Sequence, residues 1–444
     1  MAKFRALLIF AAAAAIGLAS SPAAEATTMT VSPASQPAMI APPPAGQGPQ
    51  YRFTTLPDEH LTFLPEALGP PLPLWPVAYT VFAASGLDLE TAPPRELTSG
   101  AVAISATAWP WGVSFASLPE VATYIMSSPM GFTNCEPGFG ANTGFDENYV
   151  GPGSVLRDPT LRDGAIMIYE AENHCPGGQY DFNFYATIGF ARSADGGATW
   201  PQPGDPDRAP ILSISEPQPS SGAPQAMGDA LPAALVAASG GSNYLYVVYT
   251  HFPPPNGYAT TQMPGVLRMA RAKLDRMNAV PQFLKWWNGG FIQQGLGGAD
   301  SPILPASGCA DPRYPNWDHD QGADLSYNAY LGRYLLVFVC ANYAANTAGW
   351  YFSTASSLEK QDWSAPQLIG NSPGAFCADG NQVQQSCRAS CSGGATFNGW
   401  YPSLLSPPNG SGLTSRTGYV FFLSGCDATE TGRQFMSTTF TIGK

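Results

Sequence analysis

The chain has 444 residues and is acidic yet sparsely charged, with 32 Asp and Glu against 20 Lys and Arg and a formal net charge of −12. No basic stripe is visible of the kind that phosphate backbones or anionic bilayers demand, which excludes nucleic acid and anionic membrane surfaces as partners. No segment approaches the roughly 20 consecutive apolar residues of a membrane-spanning helix, which excludes insertion. Residues 1–26 read as a secretory signal, with a basic start at Lys3 and Arg5, an apolar stretch from Ala6 to Leu18 and small residues ending in Ala24-Glu25-Ala26. The expected location is therefore extracellular or periplasmic. Residues 27–50 are rich in Pro, Ala, Ser and Gly and almost uncharged, the composition of a disordered linker. Residues 51–444 show no internal composition break and are expected to form one domain.

Within that domain, alternating or continuous apolar runs recur at short spacing with Gly, Pro and Asn between them. The first set is Leu74 to Ala84, Ala101 to Trp109 and Val121 to Met126. The second is Gly153 to Pro159, Ala165 to Ala171, Tyr185 to Arg192 and the strand at Trp200. The third runs through Leu231 to Ala238, Tyr244 to Thr250, Val266 to Lys273 and Phe283 to Trp287. Asp324 to Tyr327, Tyr334 to Val339, Gly349 to Thr354 and Trp363 to Ile369 make the fourth. Pro402 to Leu405, Tyr419 to Leu423 and Gln434 to Ile442 make the fifth, its last strand placed to meet N-terminal strands. No helical period persists, so the class is all-β. A β-sandwich is the competing architecture, disfavoured because such regular four-stranded units are unusual in sandwiches.

The segment Ser193-Ala194-Asp195-Gly196-Gly197-Ala198-Thr199-Trp200 follows the strand-like run Tyr185 to Arg192. Two glycines permit positive φ at the bend, the Asp195 carboxylate can accept amides inside the turn, and Trp200 can fold back against the strand pair. Ser193, Asp195, Gly197, Thr199 and Trp200 match the Asp-box of sialidases and related β-propellers, which the segment resembles. A degenerate relative spans Ser353 to Trp363. The resemblance implies a five-bladed β-propeller of four-stranded antiparallel blades, with this turn on the outer rim, far from any catalytic centre. It extends most closely to secreted propellers related to bacterial endo-D-arabinanases.

Because strands within a blade are antiparallel, the start of each first strand and the end of each second strand lie on one face. That rule gathers Asp146 and Glu147, then Glu170, Glu172 and His174, then Asp229 and His251, then Asp318, His319, Asp320 and Asp324. Asn342, Tyr343, Trp400, Tyr401 and Asp427 join them. Glycoside hydrolysis uses one protonated carboxyl and one ionised carboxyl, about 5 Å apart for retention or roughly 6.5 to 9.5 Å for inversion. Glu172 is the expected acid with Glu170 second, since both share one face of a strand and each perturbs the other. Asp320 or Asp324 is the expected base or nucleophile, with Asp229 and Asp146 as modulators. For each, a turn-capping or cation-binding role is the competing reading. Trp317, Trp400, Tyr401, His174, His251, His319 and Tyr343 are the expected substrate contacts.

The arabinanase-like resemblance implies Asp, Asp and Glu on the inner strands of three successive blades, and the fourth set here offers aspartates without that glutamate. Sialidase chemistry is disfavoured, because Arg157, Arg192, Arg268, Arg271, Arg313 and Arg333 fall mostly inside strands. Arg157-Asp158-Pro159 reads as a structural pair. No cofactor is expected, although the resemblance allows calcium or another divalent ion in the central channel, near His174, His251 and His319. Eight cysteines suit an oxidising compartment, with Cys135–Cys175 and Cys309–Cys340 as expected pairs and Cys377, Cys387, Cys391 and Cys426 pairing among themselves. The function these features imply is a secreted, monomeric glycoside hydrolase acting on a neutral or furanose-containing polysaccharide. The alternative is a non-catalytic propeller that binds carbohydrate or protein.

Overall fold

The computed structural model describes residues 27–32, 36–37, 57–66, 77–87, 98–109, 112–115, 123–127, 145–146, 149–174, 184–214, 227–252, 266–275, 279–305, 320–340, 349–371, 396–426 and 434–444. Every named element among them is a β-strand. They form five antiparallel meanders, numbered here in chain order. The first is Pro57–Pro65, Val77–Leu87 and Thr98–Trp109, with Gly112–Phe115 and Thr123–Ser127 both beside Thr98–Trp109. The second is Tyr149–Arg157, Ala165–His174, Phe184–Ser193 and Arg208–Leu212. The third is Met227–Ser239, Ser242–Phe252, Val266–Lys273, Phe283–Trp287 and Gly290–Gln294. The fourth is Asp320–Asn328, Arg333–Cys340, Gly349–Ala355 and Gln367–Leu368. The fifth is Thr396–Leu405, Thr417–Cys426 and Gln434–Gly443, completed on its outer edge by Thr28–Val31.

The second strands are apolar on both faces, the pattern of a sheet covered on two sides. In Ala165–His174, Ile166 and Ile168 pack with Leu245, Val247 and Tyr249 of the third meander. Met167, Tyr169 and Ala171 pack on the other side with Leu64 and Phe82 of the first. A third cluster joins Tyr246 and Val248 to Leu336 and Phe338, and a fourth joins Val337 and Phe352 to Leu404 and Phe422. A fifth joins Phe421 and Leu423 to Phe63 and Tyr79. Each such fully buried side chain contributes roughly 1.5–3 kcal/mol relative to exposure, so these interfaces dominate the stability.

Each first strand loses register against its second strand at an equivalent place. The shifts fall between Asp58 and Thr62, Pro152 and Ser154, Ala230 and Ala233, Gln321 and Asp324, and Trp400 and Ser403. Four of the bulges hold a left-handed residue: Glu59 (φ 62°), Leu231 (52°), Gly322 (56°) and Tyr401 (52°). For the three with side chains this conformation costs about 1–2 kcal/mol each. At the remaining bulge Gly153 is obligatory for another reason, since a Cβ there would lie 1.9 Å from the Pro232 carbonyl oxygen of the next meander.

The residue that ends each bulge staples the next first strand. Thr62 Oγ1 accepts the Val155 amide at 2.9 Å, Ser154 Oγ accepts that of Ala234 at 2.9 Å, and Ser403 Oγ accepts that of Leu61 at 3.0 Å. In the fourth meander Asp324 Oδ2 does the same for Leu404 at 2.6 Å. The third has Ala233 at this place, and Thr250 Oγ1, on its second strand, accepts the Gly322 amide at 3.2 Å instead.

The turn after Phe184–Ser193 closes as its residues imply. Ser193 Oγ donates to Asp195 Oδ1 at 2.7 Å and accepts the Gly197 amide at 2.9 Å. Asp195 accepts the Thr199 amide at 2.9 Å and its hydroxyl at 2.6 Å. Gly196 and Gly197 have positive φ, and the buried Trp200 donates its indole N–H to the Gly197 carbonyl at 2.9 Å. Its ring meets Phe82 of the first meander edge-on at 6.0 Å. The related turn before Trp363 uses the aspartate from the opposite end, with Ser356 and the Ser357 amide bonding Asp362.

Three features differ from the sequence expectation. Thr28–Val31, placed in a disordered linker on composition, is a strand whose Met29 and Val31 are buried against the last strand, because an edge backbone and a hydrophobic cluster are waiting for it. Pro57–Pro65 precedes the first expected strand of its meander. The fourth strand of the second meander is Arg208–Leu212, beyond the Trp200 turn. Residues 1–26 lie outside the described residues, and none of the expected cysteine pairs has both side chains within them.

Candidate active site

The bulges lie toward one end of the meanders, and the Trp200 turn toward the other. In the second meander, register pairs Ser193 with Ala165 at the turn end and Ala186 with Glu172 at the bulge end. Side chains alternate along a strand, so the face of Ala165–His174 that carries Ile166 and Ile168 continues with Glu170 and Glu172. The face of Ser242–Phe252 that carries Leu245, Val247 and Tyr249 continues with His251. Two walls of one apolar interface thus end in a pair of carboxyls on one side and an imidazole on the other.

Glu170 is buried, and its Oε2 accepts the Leu231 amide at 2.7 Å. This is the work Thr250 does for Gly322 one meander on, so a carboxyl stands where a hydroxyl suffices. Burial pushes the Glu170 carboxyl well above the usual carboxylate range, and the charge of Glu172 beside it adds to the rise. Hydrogen bonds from Glu59 and from Leu231 pull in the opposite direction without cancelling it. Two interacting carboxyls titrate as a unit, so the Glu170–Glu172 pair holds a proton above the usual carboxylate range. Glu172, half-buried, is the member that solvent reaches.

Opposite stands a buried charge network. Asp229 is fully enclosed, with Lys285 Nζ at 2.8 Å from one oxygen and His251 Nδ1 at 2.9 Å from the other. Lys285, itself fully buried, also donates to the Ser213 carbonyl at 2.8 Å and lies 3.5 Å from Asp300. Asp300 accepts from Arg268 Nε at 2.9 Å and from the Tyr249 hydroxyl at 2.8 Å. Burial lowers the pKa of His251, but the hydrogen bond and charge of Asp229 and the charge of Asp300 outweigh it and the net shift is upward. Asp229 is held below the usual range because Lys285 and His251 together outweigh its burial.

His60 is buried beside the fifth meander, with Nδ1 3.4 Å from Ser403 Oγ and its ring edge-on to Tyr401 at 5.7 Å. Burial lowers its pKa to about 4, against a smaller opposing effect of a hydrogen bond with Pro402, so it is neutral at physiological pH. Asp324 is raised to about 6 by burial, against the Leu404 and Leu325 amides that it accepts. Asp146 is committed elsewhere, to a buried ion pair with Arg208 at 2.7 Å and a hydrogen bond from Tyr169 at 3.0 Å.

Of the expected substrate contacts, Tyr401 is the left-handed bulge residue, buried against His60, and Trp400 beside it is half-buried between two apolar clusters. His174 ends its strand and Asp320 begins one, with their side chains outside the described residues, as are Trp317, His319 and Tyr343. Asp229, His251 and Asp300 offer donor atoms within 4.8 Å of one another, as a divalent cation requires. They do not fit one, because the Lys285 ammonium and the Arg268 guanidinium already neutralise both carboxylates. Glu59, His60, Lys285 and Asp300 were not expected from sequence. A run of three polar residues, Asp58-Glu59-His60, before apolar alternation signals the first two, and a lysine inside the apolar strand Phe283–Trp287 signals a buried partner for the third.

No protein-family model matches the chain, and no curated protein matches it. Among solved structures it is similar to a glycosyl hydrolase from Bacteroides ovatus, at 10% identity and a TM-score of 0.40 over 86% of this chain and 83% of that one. It is also similar to a GH43 endo-arabinanase from Bacillus licheniformis, at 10% identity and a TM-score of 0.38 over 85% and 92%. A Bacillus subtilis arabinanase aligns at 11% identity and a TM-score of 0.35 over 86% of this chain and 96% of that chain.

Proposed function

We propose that this chain is an exported five-bladed β-propeller that hydrolyses glycosidic bonds in a neutral or furanose-containing polysaccharide. Five apolar interfaces, each shared by two meanders and the last joining the fifth to the first, support closure into a ring. The turn at Ser193–Trp200 supports membership among Asp-box propellers, and the basic, apolar, small-residue start supports export. The observation that carries the catalytic reading is the Glu170–Glu172 pair at the mouth of the interface between the second and third meanders. Glu172 donates its proton to the leaving glycosidic oxygen. Glu170, whose buried carboxyl is the one pushed upward, supplies that proton to Glu172 through the hydrogen bond between them.

The test is release of reducing ends from arabinan, arabinogalactan and a wider glycan panel by the protein lacking residues 1–26. Release by wild type and its loss in Glu172→Gln support the reading. Undiminished release by Glu172→Gln and Glu170→Gln removes the site assignment. Glycan binding with no release from any member of the panel favours a non-catalytic binding module.

A further inference from the structure

We infer that His251 is the proton acceptor for the attacking water in this cleft and that Asp229 is its positioning residue. The inference rests on the hydrolase reading above and supplies the base that reading lacks. Asp229, paired in register with His251, carries a carboxylate that has no exposed surface and both of whose oxygens are engaged, by Lys285 and by His251. Water cannot reach it. Its charge reaches solvent only through the imidazole, whose Nδ1 it holds at 2.9 Å and whose side chain is 16% exposed.

Alternation fixes which way that ring faces. Thr250 turns to the fourth meander, where its hydroxyl takes the Gly322 amide, so His251 turns to the second, toward the wall of Ile166, Ile168, Glu170 and Glu172. With Nδ1–H donated to Asp229, Nε2 points away from that carboxylate with its lone pair available. In the step, the water oxygen bonds to the anomeric carbon and its proton passes to His251 Nε2. The bond from that carbon to the glycosidic oxygen breaks with its electron pair on the oxygen, which takes the proton of Glu172. The imidazolium formed is held by Asp229 and by Asp300, 3.6 Å from Nδ1, and the carboxylate left on Glu172 is reprotonated from solvent as His251 discharges. Around the imidazole stand Asp229, Asp300 and Arg268, with Lys285 and Tyr249 bonded to those carboxylates, and the opposite wall of the interface carries Glu170 and Glu172. The carboxylates strengthen the base, and Arg268 moderates it.

His251→Asn is expected to lower kcat at least about 100-fold, with KM within about twofold of wild type, and to remove the acidic limb of the pH–rate profile. Imidazole added to His251→Gly is expected to restore activity in proportion to its unprotonated form, which a structural role would not produce. Wild-type kcat and an unchanged acidic limb in His251→Asn, where Glu172→Gln is inert, overturn the assignment and leave the hydrolase reading standing. No release by wild type from any glycan overturns both.

Discussion

The carboxylate of Asp324 accepts the Leu404 amide at 2.6 Å, in the place where Thr62, Ser154 and Ser403 use hydroxyls for the equivalent bond. A hydroxyl would serve at lower desolvation cost, so Asp324→Ser should fold and keep the staple. Asp324 has its folded pKa raised from 3.8 to about 6, so it binds its proton more tightly folded than unfolded. Its contribution is therefore greatest below pH 4 and is lost as pH rises to about 6, by about 3 kcal/mol. Urea midpoints at pH 4 and pH 6 should therefore change more favourably toward pH 6 in Asp324→Ser than in wild type. An identical slope in both proteins would show that the carboxyl titrates normally.

His60 has the opposite sign. Its folded pKa is lowered from 6.5 to about 4, so the unfolded chain binds the proton first and stability falls as pH drops through that window, by about 3 kcal/mol. In wild type these two contributions oppose each other between pH 4 and 6. His60→Gln should unmask a protein that loses stability on going from pH 4 to 6, and Asp324→Ser one that gains it. Matching curves for both variants would contradict the pairing of effects.

Asp195 sits at the end of the meander remote from Glu172 and holds the Trp200 turn through three hydrogen bonds. Asp195→Ala should cost about 1–2 kcal/mol, measured by thermal or urea unfolding. Reducing-end release per folded molecule should be unchanged, and its loss would place the turn within the catalytic apparatus.

Lys285 compensates Asp229 directly and Asp300 at longer range without any exposed surface. Lys285→Met should destabilise by about 3–5 kcal/mol, because it leaves buried carboxylates uncompensated. The double change Lys285→Met with Asp229→Asn should recover part of that loss. A double variant no more stable than the single one would show that the ammonium acts by packing alone.

Second strands are legible from sequence because both their faces are apolar, and the runs Ala165 to Ala171 and Tyr244 to Thr250 mark the centres of Ala165–His174 and Ser242–Phe252. First strands were found only from their bulges onward, at Leu231, Asp324 and Pro402, because the extra residues in each bulge break the alternation that marks a strand. Pro57–Pro65 was missed for the same reason, and with it Glu59 and His60. The pairing of Glu170 with Glu172 follows from a two-residue spacing and was visible. The enclosure of Asp229 by Lys285 and His251 depends on strands 56 and 22 residues apart in the chain, which no local pattern encodes.

Thr28 is the register partner of Gly443, so the outer strand of the fifth sheet and its neighbour are separated along the chain by the other four sheets. A ribosome working from the amino end cannot satisfy that edge until Gly443 has emerged. Pairing of this edge consequently follows synthesis of the other four sheets, and a protein lacking Thr28–Val31 should lose the cover of Phe440 and Ile442 while the intervening sheets stay intact.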